Sequence, residues 1–185
     1  MKTRCSWTKD DERMIAYHDE EWGFPVHDDK KHFEFLVLDT FQAGLSWKTI
    51  LHRREGFRKA FVDFDVVKVS KFKEKQIQKL LTDESIIRNK LKIYGTVKNA
   101  KLFIEVQKEF GSFNKYIWQF VNHKTISNKR KTLKDIPATS VESDAMSKEL
   151  KKRGFTFVGS TICYAYMQAT GMVNDHLVDC FRYKK

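Results

Sequence analysis

The chain is 185 residues long, room for one sizeable domain or two small lobes and well above the length that demands covalent or metal bracing. Apolar residues make up 41% and aromatics 14%, which argues against a disordered chain and for a packed core. Lysine and arginine number 35 against 24 aspartates and glutamates; the excess of +11 favours polyanionic partners, nucleic acid first among them, although simple solubility would leave the same trace.

Helical signals dominate in chain order. Asp28 and Asp29 precede Phe33, Leu36, Val37, Thr40 and Phe41 on one face, an amphipathic helix capped by aspartate and ended near Gly44. Ser46 caps a following helix that carries Trp47, Ile50 and Leu51. Further helical patterns run from Glu74 to Leu81 and from Val97 through Val106 toward Gly111. Ser143-Asp144-Ala145-Met146 opens another, whose basic end, Lys151-Lys152-Arg153, stops at Gly154. Phe155-Thr156-Phe157-Val158 alternates like a strand but is only four residues long. An all-α class is expected, with no repeat and no linker.

The stretches Ile77–Leu81 and Val97–Phe103 flank a turn at 86–93 and could form a helix-hairpin-helix, which offers backbone N–H groups and nearby cations to phosphates without reading sequence. That hairpin usually needs glycine, and Leu91 stands where one would be; an ordinary helical turn within a core has the same pattern.

Four residues are candidates for one tetrahedral metal site: Cys5 and His18 near one end, His176 and Cys180 near the other. Thiolate and imidazole suit zinc, and His176 and Cys180 are four apart, on one face of any helix. The long intervening stretch matches no standard finger, so coincidence of composition stands beside this reading. Cys163 reads as a small core residue. Three cysteines cannot build a disulfide framework, Met1-Lys2-Thr3-Arg4 leads into no apolar leader, and no apolar run could span a bilayer. A soluble cytoplasmic protein is expected.

Taken together, several segments resemble the bacterial 3-methyladenine DNA glycosylase I family over essentially the whole chain. They are Cys5-Ser6-Trp7, Tyr17-His18-Asp19-Glu20-Glu21-Trp22-Gly23, Gln42-Ala43-Gly44-Leu45-Ser46-Trp47, Ile86-Ile87-Arg88-Asn89 and Phe120-Val121-Asn122-His123. The run from Ser147 to Phe155, then Met167-Gln168-Ala169 and Val173-Asn174-Asp175-His176, completes the series. The resemblance implies one unit over residues 1–185: a zinc lobe from about 1–25 and 165–185, and a helix-hairpin-helix glycosylase core over about 28–160. It implies one structural zinc on Cys5, His18, His176 and Cys180. It also implies a monomer that acts on double-stranded alkylated DNA, hydrolyses the N-glycosidic bond of N3-methyladenine, releases the free base and leaves an abasic site. No hairpin lysine and aspartate pair suggests lyase chemistry. A zinc-stapled module that binds damaged DNA without cleaving it is the alternative.

The chemistry fits these residues. A base within a duplex must be extruded before it can be attacked, at a cost of roughly a few kcal/mol. Alkylation at N3 makes the base cationic, which activates the leaving group and gives aromatic faces and a carboxylate something to recognise. By the family pattern Tyr17 and Trp47 line the base pocket, although core packing is the ordinary role of an aromatic; Trp7 and Trp22 could equally pack the zinc lobe. Leu45 resembles a wedge into the base stack, or else a buried junction leucine. The family's recognising glutamate falls on Asp39, one methylene shorter, which is therefore both the candidate catalytic and the base-contacting group. Arg88, Lys90 and Lys92, with Lys151-Lys152-Arg153, are candidate phosphate contacts.

Overall fold

The computed structural model describes residues 2–183. Most of its helices begin where short polar side chains take up free amides of the first turn. Asp11 accepts from Met14 N at 3.0 Å and opens α1 (Glu12–Glu20), and Asp28 accepts from Lys31 N at 2.8 Å and opens α2 (Asp29–Gln42). Ser46 caps α3 (Trp47–His52), followed by α4 (Arg54–Ala60), α5 (Val66–Ser70) and α6 (Glu74–Thr82). Asn89 caps the long α7 (Lys90–Phe110), which ends at Gly111 with φ +81°. Then come α8 (Phe113–Trp118), α9 (Val141–Lys152) and α10 (Ser160–Ala169).

α2 runs through the centre, buried without interruption from His32 to Phe41. Its Phe33 meets Phe103 of α7, which stacks on Phe113 of α8 at a centroid distance of 3.9 Å. Asp29, at the start of α2, accepts from the backbone amides of Phe113 and Asn114 at 2.9 and 2.8 Å and so caps α8 as well. Arg54 of α4 bridges Glu21, beyond α1, and Glu34 of α2, with N···O distances of 2.6 and 2.8 Å. This largely buried guanidinium is satisfied on both sides, which burial of a charge requires.

The two chain ends meet. Gly23 N donates to Gln168 O and Val26 N to Thr170 O, each at 3.0 Å, and Phe181 N reaches Thr3 O at 3.0 Å. A two-residue strand β1 (Ile126–Ser127) pairs in parallel with β2 (Val173–Asn174), and an Arg130–Leu177 bridge extends the pairing.

Most expected helices are present, and the differences have local causes. α9 starts at Val141 rather than at Ser143, because Ser140 and Ser143 cap each other reciprocally. The alternating Phe155–Val158 stretch forms no strand; Phe157 has φ +58°, and Thr156 hydrogen-bonds to the Asn99 side chain instead of to a partner strand. His176 and Cys180 are not on a helix. They sit on a turn closed by Cys180 N donating to Leu177 O at 2.8 Å. No described helix is long and apolar enough to cross a membrane.

Gly171 is fixed by this closure. It has φ +67°, and a Cβ there would lie 2.2 Å from the Phe24 carbonyl carbon. Gly171→Ala is expected to cost at least about 2 kcal/mol, measured by urea unfolding, because strain and backbone overlap act together. Unchanged stability would mean that the chain ends are not seated as described.

Candidate functional site

The four metal-ligand candidates converge. Cys5 precedes a short 3-10 turn, His18 lies on α1, and His176 and Cys180 follow β2; all four are buried, with donor atoms within 4.8 Å of one another. Cys180 Sγ is 3.4 Å from His18 Nε2 and 3.6 Å from His176 Nδ1, which is 3.7 Å from Cys5 Sγ. The other nitrogen of each ring is engaged: His18 Nδ1 is 2.7 Å from Asp19, itself held by Arg4, and His176 Nε2 is 3.0 Å from the Trp22 carbonyl. Such outer contacts fix ring orientation and aim the free nitrogens at the sulfurs. Backbone amides of Leu177 and Arg182 approach the two sulfurs at 3.4 Å each. Burial pushes the Cys5 thiol up to about 12, so with no cation beside it the thiol keeps its proton. The cluster could hold a metal ion.

A cavity of about 390 Å³ opens beside this cluster, within the range of small-molecule sites. Tyr17, Asp39 and Trp47 all line it, brought together from α1, α2 and α3. Trp7 and Trp22 line it as well and also pack against the cluster: Trp22 lies 4.7 Å from the His176 ring and Trp7 lies 5.3 Å from the His18 ring, both edge-on. These two indoles are a shared wall between the cavity and the cysteine–histidine group.

Asp39 is 1% exposed, and its Oδ2 has no hydrogen-bond partner among the described residues. Burial alone raises its pKa well above the usual carboxyl range, and burial, with the nearby Asp39 carboxyl as a smaller cause, raises that of Tyr17. A buried carboxyl without a donor is costly in an ordinary core, and a perturbed acid that lines a cavity is a candidate for ligand contact. Tyr17 and Trp47 have centroids 4.9 Å apart and planes inclined by 43°. A ring sandwiched between them would need about 7 Å, two contacts of roughly 3.5 Å. This geometry leaves no room for a ring between the two and offers a planar ligand only one face of the pair.

Among the candidate DNA contacts, Leu45 projects from the α2–α3 turn and is 41% exposed, so it is not a buried junction residue; Gly44 before it has φ +78°. Arg88 and Lys90 are exposed at the α6–α7 turn. Lys92 departs from the expectation. It is buried, and its Nζ donates to the Phe41 carbonyl at 2.9 Å and to that of Ala43, closing the end of α2. Arg153 is likewise engaged, paired with Glu109 at 2.6 Å and packed over Phe110 and Tyr116. Sequence reasoning missed Met14, Gln42, Leu133, Ile136, Ala165 and Gln168 as cavity-lining residues. Met14 could have been found, three residues before Tyr17 on one helix face, but nothing local marks Leu133 and Ile136.

The methyladenine glycosylase family model matches residues 7–183. The chain belongs to this family. It is 47% identical over 180 residues to DNA-3-methyladenine glycosylase 1 of Escherichia coli (strain K12), covering 97% of this chain and 96% of that protein. It is 46% identical to DNA-3-methyladenine glycosylase of Haemophilus influenzae, covering 97% of each. A crystal structure of 3-methyladenine DNA glycosylase I superposes with a TM-score of 0.95 at 42% identity, over 98% of this chain and all of that one. The Staphylococcus aureus enzyme, whose structure addresses 3-methyladenine recognition, matches at 0.94 and 32% identity, over 98% and 97% of the two chains.

The state of Asp39 is testable without substrate. Folding raises its proton affinity, so its contribution to stability is fully present below the ordinary carboxyl pKa of 3.8 and is lost as pH rises toward the raised value. Asp39→Asn should therefore match the native chain at pH 4 and exceed it in denaturant midpoint at pH 8. A deficit of the same size at both pH values would show that Asp39 does not carry this penalty.

Proposed function

We propose that this chain is a monofunctional DNA glycosylase that extrudes N3-methyladenine from alkylated double-stranded DNA, seats it in the Tyr17–Asp39–Trp47 cavity and hydrolyses its N-glycosidic bond, leaving an abasic site. The observation that carries this is the unpartnered, buried Asp39 carboxyl among aromatic rings. A cationic base presented there supplies both the missing counter-charge and hydrogen-bond donors, and an opposite charge favours the ionised carboxylate. An undamaged adenine offers no such charge. Because the alkylated base is already a good leaving group, the chain is required mainly to hold it and to stabilise charge around the breaking bond. Asp39 makes the base contact; being one methylene shorter than glutamate, it leaves space for a water or a bulkier lesion.

α6, the 83–89 turn and α7 serve as the helix-hairpin-helix, with Arg88 and Lys90 on the phosphates and Leu45 filling the stack vacated by the base. Lys92 supports the Leu45 turn from behind rather than touching DNA. The chain acts as a cytoplasmic monomer.

The cysteine–histidine group is read as one structural zinc. A tetrahedral ion with bonds of about 2.0–2.3 Å separates its ligand atoms by roughly 3.3–3.8 Å, and the Cys180–His18, Cys180–His176 and Cys5–His176 pairs, at 3.4, 3.6 and 3.7 Å, lie in that range. Four protein ligands leave no position for an activated water, so the ion would stabilise the lobe behind Trp7 and Trp22 without entering the reaction.

Incubating the protein with alkylated DNA and separating released bases by chromatography should yield 3-methyladenine. Binding to damaged DNA with no released base would favour a non-catalytic damage-binding module. Removing Arg88 or Lys90 should weaken DNA binding and lower the slope of log affinity against log salt by about one per contact, whereas an unaltered slope would place them off the DNA. Metal analysis of the purified chain should find one zinc per molecule, and Cys180→Ala should lower the melting temperature by several degrees. A metal-free chain of normal stability would remove the zinc.

A further inference from the structure

Gln168, near the end of α10, faces the cavity wall with an amide whose orientation is not free. Asp175 is fully buried, and its carboxyl group collects four donors: the Tyr164 hydroxyl at 2.6 Å, Gln168 Nε2 and Asn128 Nδ2 at 2.8 Å each, and Arg130 Nε at 3.2 Å. A carboxylate has lone pairs and no hydrogen to give. The Gln168 amide can meet it only through its NH2, and the rotation that would exchange nitrogen and oxygen is closed. Oε1, on the other edge of the planar amide, accepts nothing from the described residues and is not enclosed.

We propose that Gln168 is a specificity-determining residue: its Oε1 accepts a hydrogen bond from the exocyclic amine of the bound base, and Asp175 locks the amide so that the cavity sees an acceptor and never a donor. The inference rests on the cavity being the base site. Amino- and oxo-purines differ at this position, the first presenting N–H donors and the second a carbonyl. A rotatable glutamine would serve either by turning over. A locked one welcomes the amine and opposes the carbonyl lone pair to lone pair, which is discrimination by repulsion as well as by attraction. Asp175 acts only through Gln168 and is a positioning residue; together they explain why a buried carboxylate with four donors adjoins a cavity wall.

Calorimetric titration with free 3-methyladenine, 3-methylpurine (the same base without its amine) and 3-methylguanine decides the matter. The native chain should prefer 3-methyladenine to 3-methylpurine by about tenfold, the size of one net hydrogen bond, and should bind 3-methylguanine most weakly. Gln168→Met keeps the length of the side chain and removes the acceptor. It should lower 3-methyladenine affinity more than 3-methylpurine affinity and so shrink the preference several-fold, and because buried Asp175 loses one of its four donors the melting temperature should fall by a few degrees. An undiminished amine preference in Gln168→Met, or an equal loss for both bases, overturns the proposal. Should the variant fail to fold, equal affinity of the native chain for 3-methyladenine and 3-methylpurine also overturns it. If the native chain binds none of the three, the base-site reading itself fails, and the inference falls with it.

Discussion

The meeting of the two chain ends governs the rest of the molecule. Residues 23–26 hydrogen-bond to residues 168–170, and the cysteine–histidine group draws donors from both ends into one buried cluster. That contact places α1, with Tyr17, opposite α10, with Gln168, and the space between them becomes the cavity. Trp7 and Trp22 touch the cluster on one side and the cavity on the other. A metal ion there would lie one layer of indoles behind the ligand, far enough to take no part in bond breaking and close enough to set the wall.

The cavity is unusual in its balance of charge. On a chain with a formal charge of +11, the cavity is lined by aromatics, two glutamines, a carboxyl and apolar side chains, with no lysine or arginine among them. Nearby cations are spent elsewhere: Arg54 on Glu21 and Glu34, Lys92 on the end of α2, Arg130 on Asp175. On the proposed reading the surface attracts a polyanion while the cavity is reserved for a cation. For a chain of the methyladenine glycosylase family this division suits a positively charged base carried on a negatively charged strand, and on this account the same protein sorts the two charges by depth.

Much of this was legible from residue order. Capping aspartates and serines located α2 and α3, and a glycine after the last periodic residue located the end of α7, because caps and left-handed exits are local chemistry. The four ligand candidates and the trio Tyr17, Asp39 and Trp47 were nameable through family motifs, and they do converge. What failed depended on distance in three dimensions. The 176–180 pair suits a helix by spacing but is bent into a turn by the cluster it serves. Lys92 and Arg153 read as exposed cations, yet acceptors more than forty residues away in sequence take them up. Leu133 and Ile136 reach the cavity because β1 is pinned to β2, a two-residue pairing too short to leave a periodic signal. Asp175 looked like part of a motif, and only its four donors, gathered from α10 and from the segment after β1, gave it a task.

The central claim is that a purine rests on the Tyr17–Trp47 face with its polar edge toward Asp39. A crystal structure of the native chain soaked with 3-methyladenine tests this most directly. The account expects the base in the 390 Å³ cavity, stacked on one of those rings, with Asp39 in contact directly or through one water. Density for the base anywhere else, or in the cavity with Asp39 turned away from it, would contradict the account.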